Sequence, residues 1–482
     1  MGLAPDLAAR RAEISPEALA FLDHETGESW SFARVDHAAR RMAAALLARV
    51  RPGARVAILC HNRPEFFVAL FACQKAGTIL VPLNWRQPVP ELREVIDGVG
   101  GALILHDDPH ADIAAALGLP CLPLDAGADG PVPARPIDED APWYVLMTSG
   151  TTGVPKAVIQ TPRMAQAVAM NLAQALGLTA ADRTVNYLPL FHTAGINLLT
   201  LPLFQWGGCS RVLRRFDARV LLDLLERREV TQFFGVPAIF QALAPLLPAD
   251  MRLDAVRGWA CGGAALPERL IRAFADRGAI IRNGFGMTET GPTGFLIDEA
   301  GAIARIGSVG KPLTMTEARL AGVADGQPGR GEILMRGATV TPGYLDNPRA
   351  TAEAFTPDGW LRTGDIAERD ADGYYRIVDR IKDMFISGGE NVYPAEVERH
   401  LAAHPDIAEA AIVGVPDETW GEVGKAFVIA HPGTSPDGAA LAAWLRERLA
   451  AYKIPRHWVL VQDLPRTASG KVRKAALKGG PR

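Results

Sequence analysis

The first residues that could do chemistry are the hydroxyls, glycines and lysine of the stretch 148–156. Glycine lets successive backbone N–H groups turn toward one anion, hydroxyls add donors, and the Lys156 ammonium adds positive charge. The residues of these kinds are Thr148, Ser149, Gly150, Thr151, Thr152, Gly153 and Lys156. The composition predicts a polyphosphate site, with ATP as the first ligand to consider. A solvated surface loop would have the same composition, so the choice between a phosphate site and a surface loop depends on other segments of the chain.

The loop differs from a Walker A motif. That motif has four residues between its glycines and a lysine directly after the second, whereas Gly150 and Gly153 are closer together and Val154-Pro155 precedes Lys156. The spacing therefore argues against the usual nucleotide hydrolases.

Elements on both sides must position this loop. The apolar runs 143–148 and 157–159 are rich in strand formers and predict two strands joined by the loop. Thr161 followed by Pro162 predicts the start of a helix.

Alternating strand and helix patterns extend through the N-terminal part. Residues 55–60 predict a buried strand, 64–75 a helix opened by Pro64, and 78–81 a second strand, which together form a βαβ unit. Further along the chain, the same patterns predict a strand at 102–105, a helix at 220–228 and a strand at 231–236. The fold class predicted for this part is α/β.

The pattern changes to short alternating segments near Asp370, and the charged residues 379–383 are typical of a hinge. Beyond it, Pro394 opens a predicted helix, 410–415 predicts a strand, and Ser435-Pro436 predicts the cap of a last helix that runs through Leu449. We expect two domains, residues 1–379 and residues 380–482, the second a small α+β unit.

Composition narrows the class of protein. The 482 residues include 51 basic and 54 acidic side chains, a net charge of −3, which argues against a nucleic-acid-binding protein. Five scattered cysteines predict neither a zinc site nor a disulfide framework. The N-terminus lacks a secretion-signal pattern and no apolar run reaches membrane-spanning length, so we expect a cytoplasmic protein without an integral membrane segment.

Four further motifs follow in order after the loop. They are Asn-Gly-Phe-Gly-Met-Thr-Glu-Thr at 283–290, Trp-Leu-Arg-Thr-Gly-Asp at 360–365, Ser-Gly-Gly-Glu-Asn at 387–391 and Pro-Arg-Thr-Ala-Ser-Gly-Lys at 465–471. With the loop, this set resembles the adenylate-forming superfamily, in its acyl-CoA synthetase branch. The resemblance implies a large N-terminal domain of α/β layers with an additional β-rich subdomain, plus a small mobile C-terminal α+β domain. It also implies ATP, Mg²⁺ and coenzyme A as cofactors.

In this family a carboxylic acid attacks the α-phosphate of ATP, releases pyrophosphate, and is then transferred from AMP to a thiol. The resemblance implies that the loop 148–156 holds the β- and γ-phosphates and that Glu289 is the Mg²⁺ ligand. It also implies that Thr288 donates to the α-phosphate. The adenine and ribose groups would be bound by Phe285, Gly286, Asp365 and Arg380.

The C-terminal motifs imply two half-reactions that compete for one active site. Lys471 resembles the catalytic lysine of adenylation, whereas Gly388 and Gly389 resemble the segment that lines the pantetheine tunnel during thioester formation. The small domain would rotate between them about Lys382. Trp420 and Tyr452 match positions near the coenzyme A tunnel and nucleotide.

The acid would be bound beside His192, which matches the family's histidine near the carboxylate. The matching pocket residues are small or apolar: Thr193, Ala194, Gly262, Gly263, Gly284 and Pro292. No aspartate follows His192 to pair with an amino group, and Gly284 stands where malonate-type synthetases carry an arginine. We therefore expect a hydrophobic monocarboxylate, with fatty and aryl or hydroxycinnamic acids both open.

Three alternatives to a coenzyme A ligase have the same motifs. They are an acyl-AMP ligase that loads a carrier protein, a non-catalytic nucleotide-binding regulator, and a luciferase-type oxygenase.

The sequence departs from the family pattern at Ala157, which follows the loop lysine where relatives usually have glycine. An alanine there is strained if the position needs a positive φ angle and neutral if it does not.

Overall fold

The computed structural model describes residues 2–148, 156–388, 390–467 and 470–478. The predicted phosphate-binding residues Ser149, Gly150, Thr151, Thr152 and Gly153 lie outside the described residues, as does Gly389. The α-helices of the described chain are α1 Leu7–Ile14, α2 Phe32–Leu47, α3 Pro64–Ala76, α4 Val89–Val99, α5 Ala111–Ala116, α6 Pro162–Leu176, α7 Thr193–Asn197, α8 Thr200–Trp206, α9 Ala218–Glu226, α10 Pro237–Leu243, α11 Glu268–Ala275, α12 Glu299–Ala304, α13 Pro348–Ala354, α14 Pro394–Leu401, α15 Gly438–Arg446 and α16 Lys474–Lys478.

The strands form several sheets of mixed direction. In chain order they are β1 Leu3–Ala4, β2 Leu19–Asp23, β3 Ser29–Ser31, β4 Arg55–Leu59, β5 Ile79–Pro82, β6 Gly101–His106, β7 Cys121–Pro123, β8 Ile137–Asp138, β9 Tyr144–Thr148, β10 Lys156–Gln160, β11 Arg183–Asn186, β12 Cys209–Val212, β13 Gln232–Gly235, β14 Gly258–Cys261, β15 Ile281–Phe285, β16 Phe295–Leu296, β17 Lys311–Pro312, β18 Thr316–Leu320, β19 Gly329–Gly337, β20 Leu361–Arg369, β21 Tyr375–Arg380, β22 Phe385–Ser387, β23 Glu390–Val392, β24 Ile407–Asp417, β25 Gly421–Ala430 and β26 His457–Leu460.

The largest sheet has the strand order β10-β9-β5-β4-β6-β7 and contains the predicted βαβ unit. Strands β4 and β5 pair in parallel, and every residue of the connecting helix α3 is buried except Glu65. Its predominantly apolar surface fits a helix packed on several sides by other layers. Gly77 ends the helix at a φ of +68°, a conformation that favours glycine. The α/β prediction for this part is confirmed.

Two further sheets complete the region around the site. Strands β13, β14 and β15 are parallel neighbours, and β16 and β17 extend them antiparallel. Strands β18 to β21 form an antiparallel sheet in chain order. The predicted helix at 220–228 is α9, which ends at Glu226 because Arg228 adopts a positive φ of 58°.

The two strands that flank the predicted phosphate loop form a hairpin. Strands β9 and β10 pair antiparallel with Thr148 opposite Lys156, so both ends of the loop lie together. Helix α6 begins at Pro162, where the Thr161 hydroxyl accepts a 3.2 Å hydrogen bond from the Met164 N–H. Ala157 lies inside β10 and is not among the described residues with positive φ. It is therefore unstrained, and the neutral alternative applies.

The C-terminal part has its own sheet, in which β24 and β25 form a long hairpin joined by β22, β23 and β26. Helices α14 and α15 cover one face. The prediction that Ser435-Pro436 caps the last long helix was wrong. Helix α15 begins at Gly438 with Asp437 as N-cap and ends at Arg446, so Leu449 lies beyond it.

Candidate active site

A cavity of about 170 Å³ lies where α6, the segment before α7, and the ends of β13, β14 and β15 meet. Its lining consists of Leu172, Leu176, His192, Thr193, Ala194, Leu198, Leu199, Phe234, Val236, Ala260, Gly262, Gly263, Gly284, Gly286, Met287, Thr288, Pro292, Thr293, Leu296 and Lys471. The six residues predicted to form the acyl pocket all belong to this set, together with His192, Thr288 and Lys471. The structure therefore brings residues from 172 to 471 around one space.

Sequence reasoning missed the inner wall of the cavity. The residues it did not identify are Leu172, Leu176, Leu198, Leu199, Phe234, Ala260 and Leu296. All except Phe234 are buried, and Leu172 and Leu176 lie on the apolar face of α6. A helical apolar pattern predicts burial, but it does not distinguish a side chain that faces a cavity from one that faces the core.

The backbone approaches the cavity closely at two glycines. A Cβ atom at Gly284 would lie 2.8 Å from the Phe295 carbonyl oxygen across the β15–β16 pair. At Gly286 the nearest atom would be the Pro292 carbonyl oxygen, at 2.4 Å. No side chain fits at either position without a shift of backbone, so the narrow wall depends on glycine.

His192 is half-buried, and its Nε2 atom is shielded from solvent without a hydrogen-bond partner. Burial, followed by repulsion from Lys471 and Arg86, lowers the pKa of His192 to about 4. The imidazole is therefore neutral near pH 7. An unpaired polar atom in a cavity wall costs free energy unless a ligand satisfies it, so Nε2 is available to hydrogen bond a bound group.

Lys471 reaches the open end of the cavity, where its side chain keeps contact with solvent. A Cβ atom on Gly263 would lie 3.6 Å from the Lys471 Cε atom, so this glycine leaves room for the lysine. The surrounding protein withdraws the ammonium from water and Arg380 repels it, which lowers the pKa of Lys471, while Asp365 opposes the shift. The ammonium thus lies in an electrostatic environment that favours an added negative charge.

Asp365 and Arg380 face each other across β20 and β21. The Arg380 Nε donates a 3.2 Å hydrogen bond to Asp365 Oδ1. Burial raises the pKa of Asp365, and Arg380 and Lys471 act against that shift. The strand register therefore places the Asp365 carboxylate next to the Arg380 guanidinium, fifteen positions away in sequence, and both lie near Lys471.

Glu289 is buried in a short 3₁₀ helix, Thr288–Thr290, and is connected to the loop lysine through Tyr344. The Tyr344 hydroxyl donates a 3.1 Å hydrogen bond to Glu289 Oε1, and the Lys156 ammonium lies 4.9 Å from the centre of the Tyr344 ring. Burial raises the pKa of Glu289, while its backbone hydrogen bond, Tyr344, Arg380 and Lys156 lower it. Sequence reasoning did not identify Tyr344.

These residues fit a hard divalent cation. A buried carboxylate that is held in place by a tyrosine hydroxyl, with no ion pair to neutralise it among the described residues, offers the oxygen that Mg²⁺ prefers. Gln160 fixes the neighbouring backbone, because its Nε2 donates a 3.0 Å hydrogen bond to the Thr288 carbonyl oxygen. The Thr148 hydroxyl lies 3.4 Å from the Lys156 carbonyl oxygen, at the base of the loop.

Phe285 lies at the end of β15, with its ring edge-on to Phe295 at a centroid distance of 5.9 Å. It is partly exposed and does not line the cavity.

Among the described residues, those predicted to bind coenzyme A are not part of the cavity wall. A Cβ atom on Gly388, which has a φ of +60°, would lie 2.6 Å from the Trp420 ring, and the Gly388 N–H donates a 2.9 Å hydrogen bond to the Trp420 carbonyl. Trp420 is 38% exposed, and Tyr452 lies in the 3₁₀ helix Ala451–Lys453. Lys382 is exposed in the turn after β21.

The chain matches two family models, the AMP-binding enzyme over residues 8–345 and the AMP-binding enzyme C-terminal domain over residues 396–471. The protein belongs to the AMP-binding enzyme family, in the acyl-CoA synthetase branch of the adenylate-forming superfamily.

Individual relatives are similar along the whole chain. The feruloyl-CoA synthase of Amycolatopsis sp is 41% identical over 483 residues, 97% of each protein. The long-chain-fatty-acid–CoA ligase FadD13 of Mycobacterium tuberculosis is 32% identical over 97% of this chain and 96% of its own. The o-succinylbenzoate CoA synthetase of Bacillus subtilis, solved with its acyl-adenylate, has a TM-score of 0.92 at 31% identity and covers 100% of this chain and 99% of its own. The same synthetase has been solved with ATP and magnesium.

The prediction of an AMP-forming acid:CoA ligase that acts on hydrophobic acids is confirmed. Its substrates are a carboxylic acid, ATP and coenzyme A, with Mg²⁺ as the cofactor. In the part of the chain that the structure describes, no helix combines the length and the apolar character needed to span a bilayer.

Proposed function

We propose that the acid is a compact aryl monocarboxylate of the hydroxycinnamate class. The observation that carries this proposal is the shape and chemistry of the cavity beside His192. Its volume is about 170 Å³, and an apolar protein cavity of roughly 150 Å³ accommodates one benzene ring. One ring with a short carboxylate arm fits such a space better than a long alkyl chain.

The charges around the cavity support a monocarboxylate. Among the described residues of the lining, Lys471 is the only charged one, and it lies at the open end with His192 and Thr288. The inner wall, as far as the structure describes it, offers no cation to a second carboxylate and no anion to an amino group. Gly284 leaves no room for a longer side chain, because even a Cβ atom would contact the Phe295 carbonyl.

The 41% identity to a feruloyl-CoA synthase supports the same class, against 32% to a long-chain fatty-acid ligase. The apolar lining would also accept an alkyl chain, so a fatty acid is the second candidate. A hydroxycinnamate and a fatty acid differ in length, so the depth of the cavity up to its inner wall distinguishes the two candidates.

In the adenylation step we propose that the substrate carboxylate lies between His192 and Lys471. A carboxylate oxygen attacks the α-phosphorus of ATP, the bond to the bridging oxygen breaks, and pyrophosphate leaves. Lys471 attracts both reacting anions and stabilises the charge that develops between them. The neutral His192 donates from Nε2 to the carboxylate, and Thr288 donates to the α-phosphate.

The remaining roles position ATP. Asp365 accepts from the two ribose hydroxyls, with Arg380 holding it in place, and Phe285 with Gly286 borders the adenine. Glu289 would hold Mg²⁺, which supplies charge neutralisation to the phosphates when bound. The loop 148–156 holds the pyrophosphate that leaves.

In the thioester step we propose that the domain of residues 380–482 rotates relative to residues 1–379 about Lys382. Gly388 and Gly389 then line the pantetheine arm, with Trp420 and Tyr452 nearer the nucleotide of coenzyme A. The thiol attacks the acyl carbon, AMP leaves, and the thioester forms. We place the reaction in the cytoplasm, where ATP and coenzyme A are both supplied; cell fractionation with an antibody tests this location.

A panel of acids tests the proposed substrate. Thioester formation is measured with ferulic, 4-hydroxybenzoic, hexadecanoic and succinic acids at equal concentration, with Lys471→Ala as the inactive control. We expect ferulic acid to give the highest kcat/KM and hexadecanoic acid to be at least tenfold poorer. Preference for hexadecanoic acid would reverse the assignment, and efficient use of succinic acid would contradict the argument from charge.

A further inference from the structure

A second cluster of potential ligands lies outside the active site, between His61, Asp107 and His110. One nitrogen or oxygen atom from each residue lies within 4.8 Å of the other two. The His61 Nδ1 is 3.5 Å from Asp107 Oδ2, and the His110 Nδ1 hydrogen bonds to Asp107 Oδ1. Asp107 and His110 are buried, and the His61 side chain is 28% exposed.

Sheet topology creates this cluster. Strands β4 and β6 are parallel neighbours whose last paired residues are Leu59 and His106, so His61 and Asp107 follow at the same edge of the sheet. A 3₁₀ helix, Asp108–His110, then returns the chain so that the His110 ring lies 4.6 Å from the His61 ring. The backbone N–H of His61 donates a 3.0 Å hydrogen bond to Asp107 Oδ2, which fixes the carboxylate.

We propose that His61, Asp107 and His110 bind one divalent transition-metal ion of the zinc and cobalt type. Two imidazoles and one carboxylate are a common donor set for such ions, and bonds of about 2.0–2.2 Å separate tetrahedral ligand atoms by roughly 3.5 Å. Each imidazole binds as the neutral ring, so any proton it carries on the ligating nitrogen is released. The exposed side of His61 leaves a fourth position open to water.

Soft and hard cations would thus be separated within one chain. Mg²⁺ prefers oxygen ligands such as Glu289, whereas two imidazole nitrogens favour zinc-type ions. None of the three ligands lines the acyl cavity. The neighbouring Asn62 connects them to the active site, because its Nδ2 donates a 2.8 Å hydrogen bond to the Leu188 carbonyl and its Oδ1 accepts from the Leu190 N–H at 3.3 Å.

The test is metal binding to the full-length protein, stripped with a chelator and free of nucleotide. Co²⁺ is titrated and followed by visible absorption, and Zn²⁺ affinity is measured by competition with a chromophoric indicator. We expect one equivalent of either ion, a tetrahedral or five-coordinate cobalt spectrum, and no displacement by millimolar Mg²⁺. His110→Asn should weaken Zn²⁺ binding at least tenfold.

Two further variants keep the test decisive. His61→Asn changes the most exposed ligand and should weaken binding in the same way if His110→Asn fails to fold. His37→Asn, at an exposed histidine on α2, should bind like the wild type. Equal Zn²⁺ affinity in the wild type and both ligand variants would overturn the site. So would a thiolate-to-cobalt absorption band that disappears in Cys60→Ser, because the ligand set would then be different.

Discussion

The two regions that meet at the active site are built in different ways. In the N-terminal region, Asp365 and Glu289 are each held by a hydrogen bond near the cavity: Arg380, at the boundary between the two expected domains, donates to Asp365 across two strands, and Tyr344 donates to Glu289. In the C-terminal region, Lys471 enters the cavity from a short segment, and the charges that shift its pKa come from Arg380, Asp365 and Lys382. The larger region thus contributes most of the described cavity lining, whereas the smaller region contributes Lys471.

The C-terminal region is itself divided. Lys471 lies in the cavity wall, while Gly388 and Trp420 contact each other away from it. This arrangement fits the proposed adenylation step and leaves the thioester residues unused. We therefore expect substitutions of cavity residues and substitutions of the thioester residues to affect the rates of adenylation and thioester formation differently.

The largest effect is expected for Lys471→Ala. Loss of the ammonium should slow pyrophosphate release about 10²- to 10³-fold, as removal of one well-placed electrostatic group does in other enzymes. Thioester formation from synthetic acyl-AMP should stay within about threefold of the wild type, because we propose that Lys471 acts only in the adenylation step. Lys478→Ala, at an exposed lysine, serves as the control. Parallel loss of both rates would contradict the division of roles.

His192→Ala should slow adenylation about tenfold or more and thioester formation less, because the imidazole donates to the carboxylate only before acyl-AMP forms. His192→Gln restores a donor in the same region of the cavity and should recover part of the rate. Separate single-turnover measurements of the two steps check this. Equal slowing of both would count against placing His192 beside the carboxylate.

The pKa of His192, lowered to about 4, also predicts a pH effect on stability. Between pH 6.5 and about 4 the unfolded chain binds a proton at this residue while the native protein does not, so acidification favours unfolding. His192→Gln should remove this contribution. We expect the melting temperature of the wild type to fall more steeply than that of the variant as the pH is lowered from 7 to 5. Parallel curves would show that His192 is protonated in the native protein.

The inner wall can be tested through Phe234→Ala, which enlarges the cavity without touching the groups at its open end. The ratio of kcat/KM for hexadecanoic acid to that for ferulic acid should rise about tenfold, since each change of a methylene in an apolar pocket is worth roughly 1–3 kcal/mol. Leu246→Ala, at a partly exposed leucine outside the cavity, is the matched truncation. An unchanged ratio would mean that Phe234 does not limit acyl length.

The sequence predicted the motif residues and the local elements, but not the packing that forms the acyl cavity. Motifs with special residue types pointed to His192, Thr288 and Lys471, which the structure brings around one cavity. The roles predicted for these residues, and for Glu289 and Asp365, stay predictions. The βαβ unit and the hairpin around the phosphate loop were also predictable, since they depend on local apolar patterns. The acyl substrate was not.

The sequence does not show which distant segments pack against each other in the tertiary structure. Leu172 and Leu176 have the same pattern as any packed helix face, and only the approach of β13 and β15 makes them a cavity wall. Tyr344 and Glu289 are 55 positions apart, and no local signal joins them. Likewise, the helix after Ser435 begins later than predicted, with Asp437 at the N-cap position but without a capping hydrogen bond from its side chain.

The smallest effect concerns the contact that connects the two regions at Tyr393, just before α14. The Arg330 guanidinium, at the start of β19, lies 4.1 Å from the centre of the Tyr393 ring. Such an exposed cation–π contact is worth about 0.5–1 kcal/mol, so Tyr393→Leu should slow adenylation roughly two- to fivefold by making the observed arrangement less favourable. The thioester step should be unchanged or slightly faster, because the proposed rotation of the small domain would break this contact. Tyr393→Phe keeps the ring and should match the wild type in both steps. If both variants slow adenylation equally, the hydroxyl and not the ring is responsible, and if neither slows it, the contact with Arg330 does not hold the two regions together.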